Sequence, residues 1–321
     1  MLDFDITALG EVLVDFTPAG TLDQGNRLFE SNPGGAPANV LAAAAKLGKK
    51  TAFLSKVGND PFGAFLTETL KHCGIDTQGV IASQEANTTL AFVHLDEAGD
   101  RSFSFYRKPG ADMMLRSDEV DGERIRRSKI FHFGSISMTH EPSRTATIDA
   151  LALAKSGGSL ITFDPNLRRS LWDDLSQARA SMIEGLSTAD VVKLSEEELE
   201  FIVGTKELER GSQYIADTYG VKLILITLGE KGCYYRFGPD SGEVPGFRVS
   251  TVDTTGAGDA FFGGMLVQLL EKDGRLEQIS VTEMERMVAF ANAAGALATT
   301  KKGAIPAMPD MDDIRKVLGT R

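Results

Sequence analysis

A glycine-rich segment followed by a carboxylate is the feature of this sequence with the most specific chemical potential. Residues 253–264 read DTTGAGDAFFGG, between a β-like run at 247–252 and an apolar helical run at 257–270. Small residues let the chain turn tightly, so that successive N–H groups converge on one point, and a helix that begins there adds the positive end of its dipole. Such a turn binds anions and suits a phosphoryl group in transfer.

Asp259 falls in the first turn of that predicted helix, directly after Gly256, Ala257 and Gly258. The helix dipole favours an ionised carboxylate at this position, and a carboxylate beside an anion site can take the proton of an attacking hydroxyl. An ordinary helix N-terminus with an acidic residue would have the same local sequence. The segment alone therefore leaves both interpretations open.

Residues 32–39, NPGGAPAN, form a second segment of interest. Gly34 and Gly35 let a ligand approach the backbone closely, and Asn39, in the helix that follows, offers a donor and an acceptor to a polyol. Asp15 comes after the first strand, where a buried strand would not carry a charge, and its carboxylate could accept two sugar hydroxyls. The structural alternatives are a turn into a helix for the glycines and a solvated face for Asp15.

Several common site motifs do not occur in the sequence. It has no GxxxxGK[ST] phosphate loop and no GxSxG nucleophile elbow. Cys73 and Cys233 form neither a disulfide framework nor a CxxC metal site, and the histidines show no HExxH spacing. We expect both cysteines to be free thiols and His132, inside an apolar run, to be a packed core residue.

These residues need a scaffold, and the pattern of the chain predicts a doubly wound α/β fold. Short β-type runs alternate with helical patterns, which implies a mainly parallel sheet with helices on both faces. Strands are predicted at 6–10, 51–55, 129–133, 159–164, 191–194 and 223–227. Helices are predicted at 38–47, 62–72, 143–155, 196–203, 212–219 and 283–298. The length of 321 residues suits one large domain.

Two alternating runs, at 88–95 and 101–106, interrupt that rhythm on either side of residues 96–100. They are typical of a hairpin, and no helix separates them, so they should not join the parallel sheet. We expect segments at about 11–31 and 88–108 to form a small β-sheet lid on a single domain that spans 1–321. An antiparallel edge on the main sheet is the alternative.

The composition limits the partners of the chain. Lys and Arg total 34 and Asp and Glu total 45, and a net charge of −11 argues against non-specific nucleic-acid binding while leaving room for a local basic pocket. The N-terminus MLDFD is acidic where a secretion signal is basic. The uncharged stretch at 287–300 is too short to span a membrane. We therefore expect a cytoplasmic protein without a membrane partner.

Together, the two segments resemble the paired signatures of the PfkB, or ribokinase-like, family of carbohydrate kinases, GGxxxN at 34–39 and DTxGAGD at 253–259. The resemblance extends over essentially the whole chain, and further segments resemble the fructokinase branch. They read GEVLVDF at 10–16, KVG at 56–58, FYR at 105–107, FHFGS at 131–135, DPNLR at 164–168 and GAIP at 303–306. The resemblance implies a ribokinase-like fold and transfer of the γ-phosphoryl group of MgATP to a primary sugar hydroxyl, first of all O6 of fructose.

The resemblance also implies roles for individual residues. Asp259 would be the general base, and the turn at Gly256, Ala257 and Gly258 would be the anion hole for the γ-phosphate. The sugar would be bound by Asp15, Gly34, Gly35, Asn39, Phe105, Arg107 and Arg168. Phe105 and Arg107 would close over it from the lid. Arg168 could instead approach the phosphates of ATP, contact the carboxylate of an acidic sugar, or form a structural ion pair.

On the nucleotide side, the resemblance implies a second group of residues. ATP would be bound by Lys193, Ser195, Thr227, Gly229, Gly232 and Asn292, the last of them facing the adenine. Ser195 stands where the family usually has asparagine. The structural alternatives are a tight strand–strand turn at 227–232 and a buried helix asparagine at Asn292.

Two cations are implied by the same resemblance. Magnesium would be held by Glu198 acting through a water; a charged helix N-terminus is the alternative for this residue. Potassium would be bound by Asp253, Thr255, Ala298, Lys301 and Gly303. Ala307 stands where some members of the family offer a serine, so one potassium ligand is in doubt.

Other functions compete with a fructokinase. A kinase for 2-keto-3-deoxygluconate, ribose or a nucleoside would keep the mechanism, and Arg107 and Arg168 favour an acidic sugar. A catalytically silent sugar-binding regulator would not need Asp259 as a base. A dinucleotide-dependent oxidoreductase would need GxGxxG after the first strand, where the sequence reads GEV. The open edges of a β lid also suggest a homodimer.

Overall fold

The computed structural model describes residues 2–95 and 101–319, and the predicted turn at 96–100 lies outside them. Its strands are β1 (Phe4–Leu9), β2 (Leu13–Thr21), β3 (Arg27–Gly34), β4 (Thr51–Gly58), β5 (Ile75–Ser83), β6 (Leu90–Leu95), β7 (Arg101–Tyr106), β8 (Ser128–Gly134), β9 (Leu160–Asp164), β10 (Val191–Ser195), β11 (Leu223–Thr227), β12 (Gly232–Phe237) and β13 (Asp240–Pro245). Its helices are α1 (Ala36–Lys46), α2 (Pro61–His72), α3 (Gly122–Arg126), α4 (Ser143–Gly157), α5 (Leu175–Leu186), α6 (Glu196–Val203), α7 (Leu208–Tyr219), α8 (Ala257–Leu270), α9 (Val281–Ala298) and α10 (Met311–Leu318).

The main sheet is large and mainly parallel. Within the described residues it runs in the order β13–β12–β11–β10–β9–β8–β1–β4–β5. Every neighbouring pair from β11 to β5 is parallel, and β12 and β13 extend one edge antiparallel. The predicted doubly wound α/β architecture is confirmed. The chain reverses its direction of winding between β1 and β8, and open α/β sheets bind ligands beside such a switch point.

Helices cover both faces of this sheet because its strands are apolar on both sides. Along β11, Leu223 and Leu225 belong to one buried core, and Ile224 and Ile226 belong to the other. The first core contains residues of α1, α2, α8, α9 and α10, and the second contains residues of α4 to α7. Such near-continuous apolar strands are typical of a parallel sheet buried on both faces. His132 is buried in β8, and burial lowers its pKa to about 3, in agreement with its predicted place in the core.

The second sheet is separate and has the order β3–β2–β6–β7. β2 pairs antiparallel with β3 and parallel with β6, and β6 pairs antiparallel with β7. The alternative of an antiparallel edge on the main sheet is therefore wrong. We call this four-stranded sheet the lid. The register aligns Asp15, Ala91 and Phe105 in one row across three strands, so all three lie on the same face of the lid.

Sequence patterns failed at two places around the lid and the glycine turn. Residues 247–252 are not a strand; the chain leaves β13 at Pro245 and runs without regular structure. The N–H of Val252 donates to the carbonyl of Thr299 at 2.7 Å, so this segment is held by the end of α9 rather than by a neighbouring strand. The predicted lid segment at about 11–31 contains most of β3, but the bounds of this strand were not predicted, because a strand that ends in Asn-Pro-Gly does not look like one.

The helix predictions were more accurate. α6 and α8 begin and end where the sequence predicted, and α1, α2 and α9 do so within two residues. In the part of the chain that the structure describes, no helix combines the length and apolar character that a membrane crossing requires.

Candidate active site

The candidate site lies at the carboxyl ends of the central parallel strands, where α1 approaches the sheet. Pro37, in the first turn of α1, packs over the ends of β1 and β8. A Cβ atom on Gly10 would lie 2.6 Å from Pro37 Cγ, and one on Gly134 would lie 3.9 Å from it. The missing side chain at Gly10 therefore lets α1 sit directly on the switch point of the sheet.

The two signature segments meet through a hydrogen bond between α1 and α8. Asn39 donates from Nδ2 to Oδ2 of Asp259 at 2.7 Å. The helices can approach this closely because Gly263 has no side chain. A Cβ atom there would lie only 2.6 Å from Cβ of Ala43 and would clash with it. Oδ1 of Asn39 is buried and has no hydrogen-bond partner among the described residues. The Asn39 side chain thus orients Asp259 through Nδ2 and keeps Oδ1 available as an acceptor.

The turn before α8 needs a glycine at Gly256. Its φ of +76° is left-handed, and a Cβ atom there would lie 2.7 Å from Cβ of Ala304. Ala257, Gly258 and Asp259 occupy the first turn of the helix, where backbone N–H groups have no helical acceptor. The N–H of Ala257 donates to the carbonyl of Thr254 at 3.3 Å. The binding of an anion at this turn stays a prediction.

The surroundings of Asp259 hold its pKa above the ordinary range, at about 6. Burial is the largest cause, and the negative charge of Asp164 adds to it. Lys193, the Asn39 hydrogen bond and Arg168 act in the opposite direction. A group with this balance is ionised at neutral pH yet accepts a proton more readily than an exposed aspartate.

Asp15 reaches the same place from the lid. A Cβ atom on Gly34 would lie 2.2 Å from Oδ2 of Asp15, so this glycine leaves room for the carboxylate. Burial raises the pKa of Asp15 to about 7; Arg168 lowers it, and Asp259 and Asp253 raise it. Asp15 is half-buried, and its carboxylate lies within electrostatic reach of Asp259.

Arg168 follows β9 and is exposed, yet its charge acts on both Asp15 and Asp259. It forms no ion pair with any residue that the structure describes. The structural ion pair, one of the alternatives for this residue, is therefore not found. Arg168 is therefore an exposed cation at the edge of the site, without an ion-pair partner among the described residues.

The two predicted lid residues have different positions. Phe105 shares the lid face of Asp15, where its ring stacks on Phe103 with centroids 6.0 Å apart. Arg107 lies below the lid and is 5% exposed. Its Nε donates to Asp112 at 2.8 Å and its Nη1 to Thr139 Oγ1 at 2.9 Å. The expectation that Arg107 closes over a sugar is not met, because these groups hold its guanidinium at the base of the lid.

A buried ion pair lies under the glycine turn. Nζ of Lys193 donates to Oδ2 of Asp164 at 2.8 Å, and a Cβ atom on Gly258 would lie 3.1 Å from the same Nζ. Burial lowers the pKa of Lys193, but the carboxylates of Asp164, Glu198 and Asp259 outweigh it and raise the pKa to about 12. A permanent positive charge therefore lies beside the anion site.

Ser195 and Glu198 form a capping box at the start of α6. The Glu198 N–H donates to Ser195 Oγ at 3.2 Å, and the Ser195 N–H donates to Glu198 Oε2 at 2.8 Å. Oε1 of Glu198 accepts the N–H of Leu167 at 2.8 Å. Both carboxylate oxygens are thus engaged by the backbone, which is the structural alternative for Glu198 and leaves only their remaining lone pairs for a hydrated cation.

An open cavity of about 970 Å³ lies on the other side of the glycine turn. Its lining includes four of the six residues predicted for the nucleotide, Thr227, Gly229, Gly232 and Asn292, but not Lys193 or Ser195. Ala257 and Gly258 of the predicted anion hole also line it. The turn after β11 is a tight strand–strand connection and a cavity wall at once. Asn292 donates from Nδ2 to the carbonyl of Val244 at 2.9 Å, so its amide also fixes the end of β13.

The predicted potassium ligands lie on two adjoining loops. Oδ1 of Asp253 accepts the N–H of Thr255 at 2.8 Å, and Oδ2 accepts the N–H of Gly303 at 3.0 Å. This carboxylate therefore joins the glycine turn to the loop after α9, which contains Lys301 and follows Ala298. Among residues 2–95 and 101–319, no cluster of three or more His, Cys, Asp and Glu side chains could hold a metal ion.

The sequence reasoning missed two carboxylates. Asp164 was noticed as the end of a strand and within DPNLR at 164–168 but was given no role, although a charge after the apolar run of β9 is a signal for a site at the carboxyl end of a strand. Glu11 is 2% exposed and was noticed only within a larger pattern. Nothing local distinguishes a buried carboxylate from a solvated one.

Comparison with known proteins yields a consistent set of similarities. A family model described as pfkB family carbohydrate kinase matches residues 3–311. The chain is 44% identical over 306 residues to a probable fructokinase-3 of Arabidopsis thaliana, an alignment that covers 95% of this chain and 88% of the relative. A fructokinase structure from Xylella fastidiosa with bound ATP has a TM-score of 0.90 at 34% identity and 98% coverage of both chains. A double-mutant fructokinase from Vibrio cholerae O395, bound to fructose, ADP and potassium ion, has a TM-score of 0.87 at 37% identity and 98% coverage of both chains.

The raised pKa of Asp259 predicts a pH-dependent stability cost. The folded pKa of about 6 exceeds the ordinary 3.8, so stability is fully present below about pH 4 and is lost as the pH rises through 6. Asp259→Asn removes this loss. Its free energy of unfolding relative to the native sequence should rise by about 1–2 kcal/mol between about pH 5 and pH 8, measured by urea titration.

Asp149→Asn is the control, because Asp149 lies on the exposed side of α4 and its replacement removes a charge without touching the site. The control should differ from the native sequence by the same amount at both pH values. An Asp259→Asn difference that shrinks as the pH rises would contradict the sign of the pKa shift.

Proposed function

Because the chain belongs to the pfkB family of carbohydrate kinases, we propose that it transfers the γ-phosphoryl group of ATP to the O6 hydroxyl of D-fructose. It is a sugar phosphotransferase with a ribokinase-like fold. The relatives named fructokinases support fructose as the acceptor, and the solved structures with ATP, or with fructose and ADP, support the pairing of substrates.

One observation carries the assignment of the site. Ala257 and Gly258 line the large cavity. The next residue, Asp259, accepts a hydrogen bond from Asn39 and interacts electrostatically with Asp15 on the lid. A nucleotide in the cavity and a polyol under the lid would therefore meet at the first turn of α8. That is the arrangement an in-line phosphoryl transfer requires.

In this proposal Asp259 is the general base. Its carboxylate takes the proton of the O6 hydroxyl as O6 forms a bond to the γ-phosphorus of ATP, and the bond from that phosphorus to the β,γ-bridging oxygen breaks to release ADP. The first-turn N–H groups of α8 and the ammonium of Lys193 stabilise the negative charge on the transferring group. Asp15 and the free Oδ1 of Asn39 accept hydrogen bonds from the other sugar hydroxyls.

Phosphoryl transfer from ATP uses magnesium, and we propose that this protein holds the ion with few ligands of its own. Magnesium keeps several waters and binds mainly through the phosphates in such sites. Glu198 fits a contact through water, because both of its oxygens already accept backbone N–H groups. Potassium is proposed at the loops that Asp253 joins, with ligands from Asp253, Thr255, Ala298, Lys301 and Gly303.

ATP as the donor implies a compartment that contains ATP, and we propose the cytoplasm. Cys73 and Cys233 are both free thiols in the described part of the chain, which suits a reducing compartment.

We also propose that the lid forms a homodimer. The face of the lid opposite Asp15 is aromatic: Phe16 stacks on Phe92 at 4.8 Å between centroids, and Phe29 and Tyr106 contact Phe92 at 5.6 and 5.4 Å. Tyr106 is 67% exposed and Phe29 36%. A second copy would cover this face and the open edges of the sheet.

A coupled assay of ADP release tests the acceptor. Fructose, glucose, ribose, 2-keto-3-deoxygluconate and adenosine are compared with MgATP, and fructose should give the highest kcat/KM. A preference for the keto acid would keep the kinase and assign its carboxylate to Arg168, the cation without an ion pair. Turnover of no acceptor in the panel would refute the proposed function.

Asp259→Asn tests the base. The variant should lose on the order of 10²- to 10⁴-fold in kcat, because no carboxylate remains to take the proton. ATP affinity, measured by calorimetry, should be about unchanged, since the cavity and the Asn39 contact are kept. Asp149→Asn should retain full activity. An Asp259→Asn enzyme with normal kcat would contradict the assignment.

Tyr106→Asp with Phe29→Asp tests the dimer. Charges on the aromatic face should convert a dimer into a monomer, observed by light scattering after gel filtration. Tyr214→Asp is the control, because this tyrosine is 47% exposed on α7, away from the lid. A native chain that is already monomeric, or a control that also dissociates, would refute the lid interface.

A further inference from the structure

Glu11 is a buried carboxylate for which neither the sequence patterns nor the proposed mechanism has a use. It lies between β1 and β2, where the chain crosses from the main sheet to the lid, and is 2% exposed. Oε1 accepts the N–H of Ala36 at 2.9 Å. Oε2 is buried and has no hydrogen-bond partner among the described residues. A buried carboxylate oxygen without a hydrogen-bond partner lowers the stability of the folded state, so its presence calls for an explanation.

The bond to Ala36 holds the first turn of α1. The residue before this helix, Gly35, has no side chain to cap it and adopts a φ of +116°. A Cβ atom on Gly35 would lie 2.4 Å from the carbonyl oxygen of Glu11, so the two segments are in contact. Glu11 thus supplies from another segment the acceptor that a capping side chain would usually supply.

The same turn contains the residue that orients Asp259. The N–H of Asn39 donates to the carbonyl of Gly35 at 2.9 Å, one helical turn back, and its side chain donates to Asp259 at 2.7 Å. Three hydrogen bonds, together with the peptide bond between Gly35 and Ala36, therefore connect Glu11 through Asn39 to Asp259.

We infer that Glu11 is a positioning residue for the phosphoryl transfer: by holding the first turn of α1 it keeps Asn39 on Asp259. The inference rests on the proposed function, in which Asp259 is the base. Glu11 does not touch the reacting atoms, because both of its oxygens are enclosed by protein.

Glu11 also lies where the lid joins the main domain. Arg107 and Asp112, which follow β7 at the base of the lid, are close enough to act on its charge. Asp112 binds Arg107 and accepts the Oγ1–H of Thr89 at 2.5 Å, so it joins the segment before β6 to the segment after β7. The lid strand β3 also runs directly into this turn, because β3 ends at Gly34 and α1 begins at Ala36.

Substitutions at Glu11 separate a hydrogen bond from a charge. Burial raises the pKa of Glu11 to about 7, its own N–H and that of Ala36 lower it, Asp112 raises it and Arg107 lowers it. Glu11→Gln keeps the Oε1 acceptor without the charge. Glu11→Ala removes the acceptor, and Glu11→Asp keeps the charge but withdraws the acceptor by one methylene.

The control is Asp60→Ala at another connection to the lid. Asp60 caps α2 by accepting the N–H of Gly63 at 2.8 Å and accepts the N–H of Thr88 at 2.8 Å. The Asp60→Ala variant therefore loses the same kind of helix cap next to the lid, but Asp60 is not hydrogen-bonded to the turn that carries Asn39.

The acid limb of kcat/KM for fructose is the readout that a merely structural role would not move. The Asn39 bond lowers the pKa of Asp259, so its loss raises that pKa. The other groups that act on Asp259, namely Asp164, Lys193, Arg168 and Asp15, are unchanged. In Glu11→Ala and Glu11→Asp the ratio of kcat/KM at pH 6 to that at pH 8 should fall on the order of threefold to tenfold. Glu11→Gln and Asp60→Ala should keep the native ratio.

Hydrogen exchange of the peptide 33–41 tests the same inference without turnover. Exchange should accelerate in Glu11→Ala and Glu11→Asp but not in Glu11→Gln or Asp60→Ala. An unmoved acid limb in Glu11→Asp, or an equal change in Glu11→Gln, would overturn the inference. A native enzyme that phosphorylates no sugar would instead refute the proposed function, and the exchange result would still decide whether Glu11 holds α1.

Discussion

The hydrogen bond from Asn39 to Asp259 is the constraint on which the rest of the site depends. It joins two helices whose bonding residues are 220 positions apart in the chain. For it to form, Gly263 must let α1 and α8 touch, Pro37 must fit over Gly10, and Glu11 must hold the first turn of α1. The glycines of both signatures thus act through packing as well as through the ligands they would admit.

A second constraint is the balance of charge among the side chains of the site. Asp15, Asp164 and Asp259 lie within electrostatic reach of one another or of common partners, and Lys193 and Arg168 are the cations that oppose them. Burial raises the pKa values of Asp15 and Asp259, which lowers the stability of the folded chain at neutral pH. The same burial makes a carboxylate a better proton acceptor, so the stability cost and the chemical use have one cause.

Local patterns predicted the scaffold well because each strand or helix has its own period. The runs at β11 and α6 were predicted with their exact ends, since apolar strands and a capping box are written in adjacent residues. The prediction was wrong at 247–252 and did not give the bounds of β3 within the lid, because distant partners decide the conformation in both places. Thr299 holds the first segment, and pairing with β2 makes a strand of the second.

The sequence by itself determined the class of fold, the family resemblance and the identity of Asp15, Asn39 and Asp259 as candidates, because these depend on periodicity and on short motifs. Only the tertiary structure decided what each polar group faces. In the structure Arg107 is hydrogen-bonded to Asp112 at the base of the lid, and Lys193 pairs with Asp164. Both oxygens of Glu198 accept backbone N–H groups. The reason is physical: burial and partners from distant parts of the chain set the charge and role of a side chain, and neither can be read from the residues adjacent to it in the sequence.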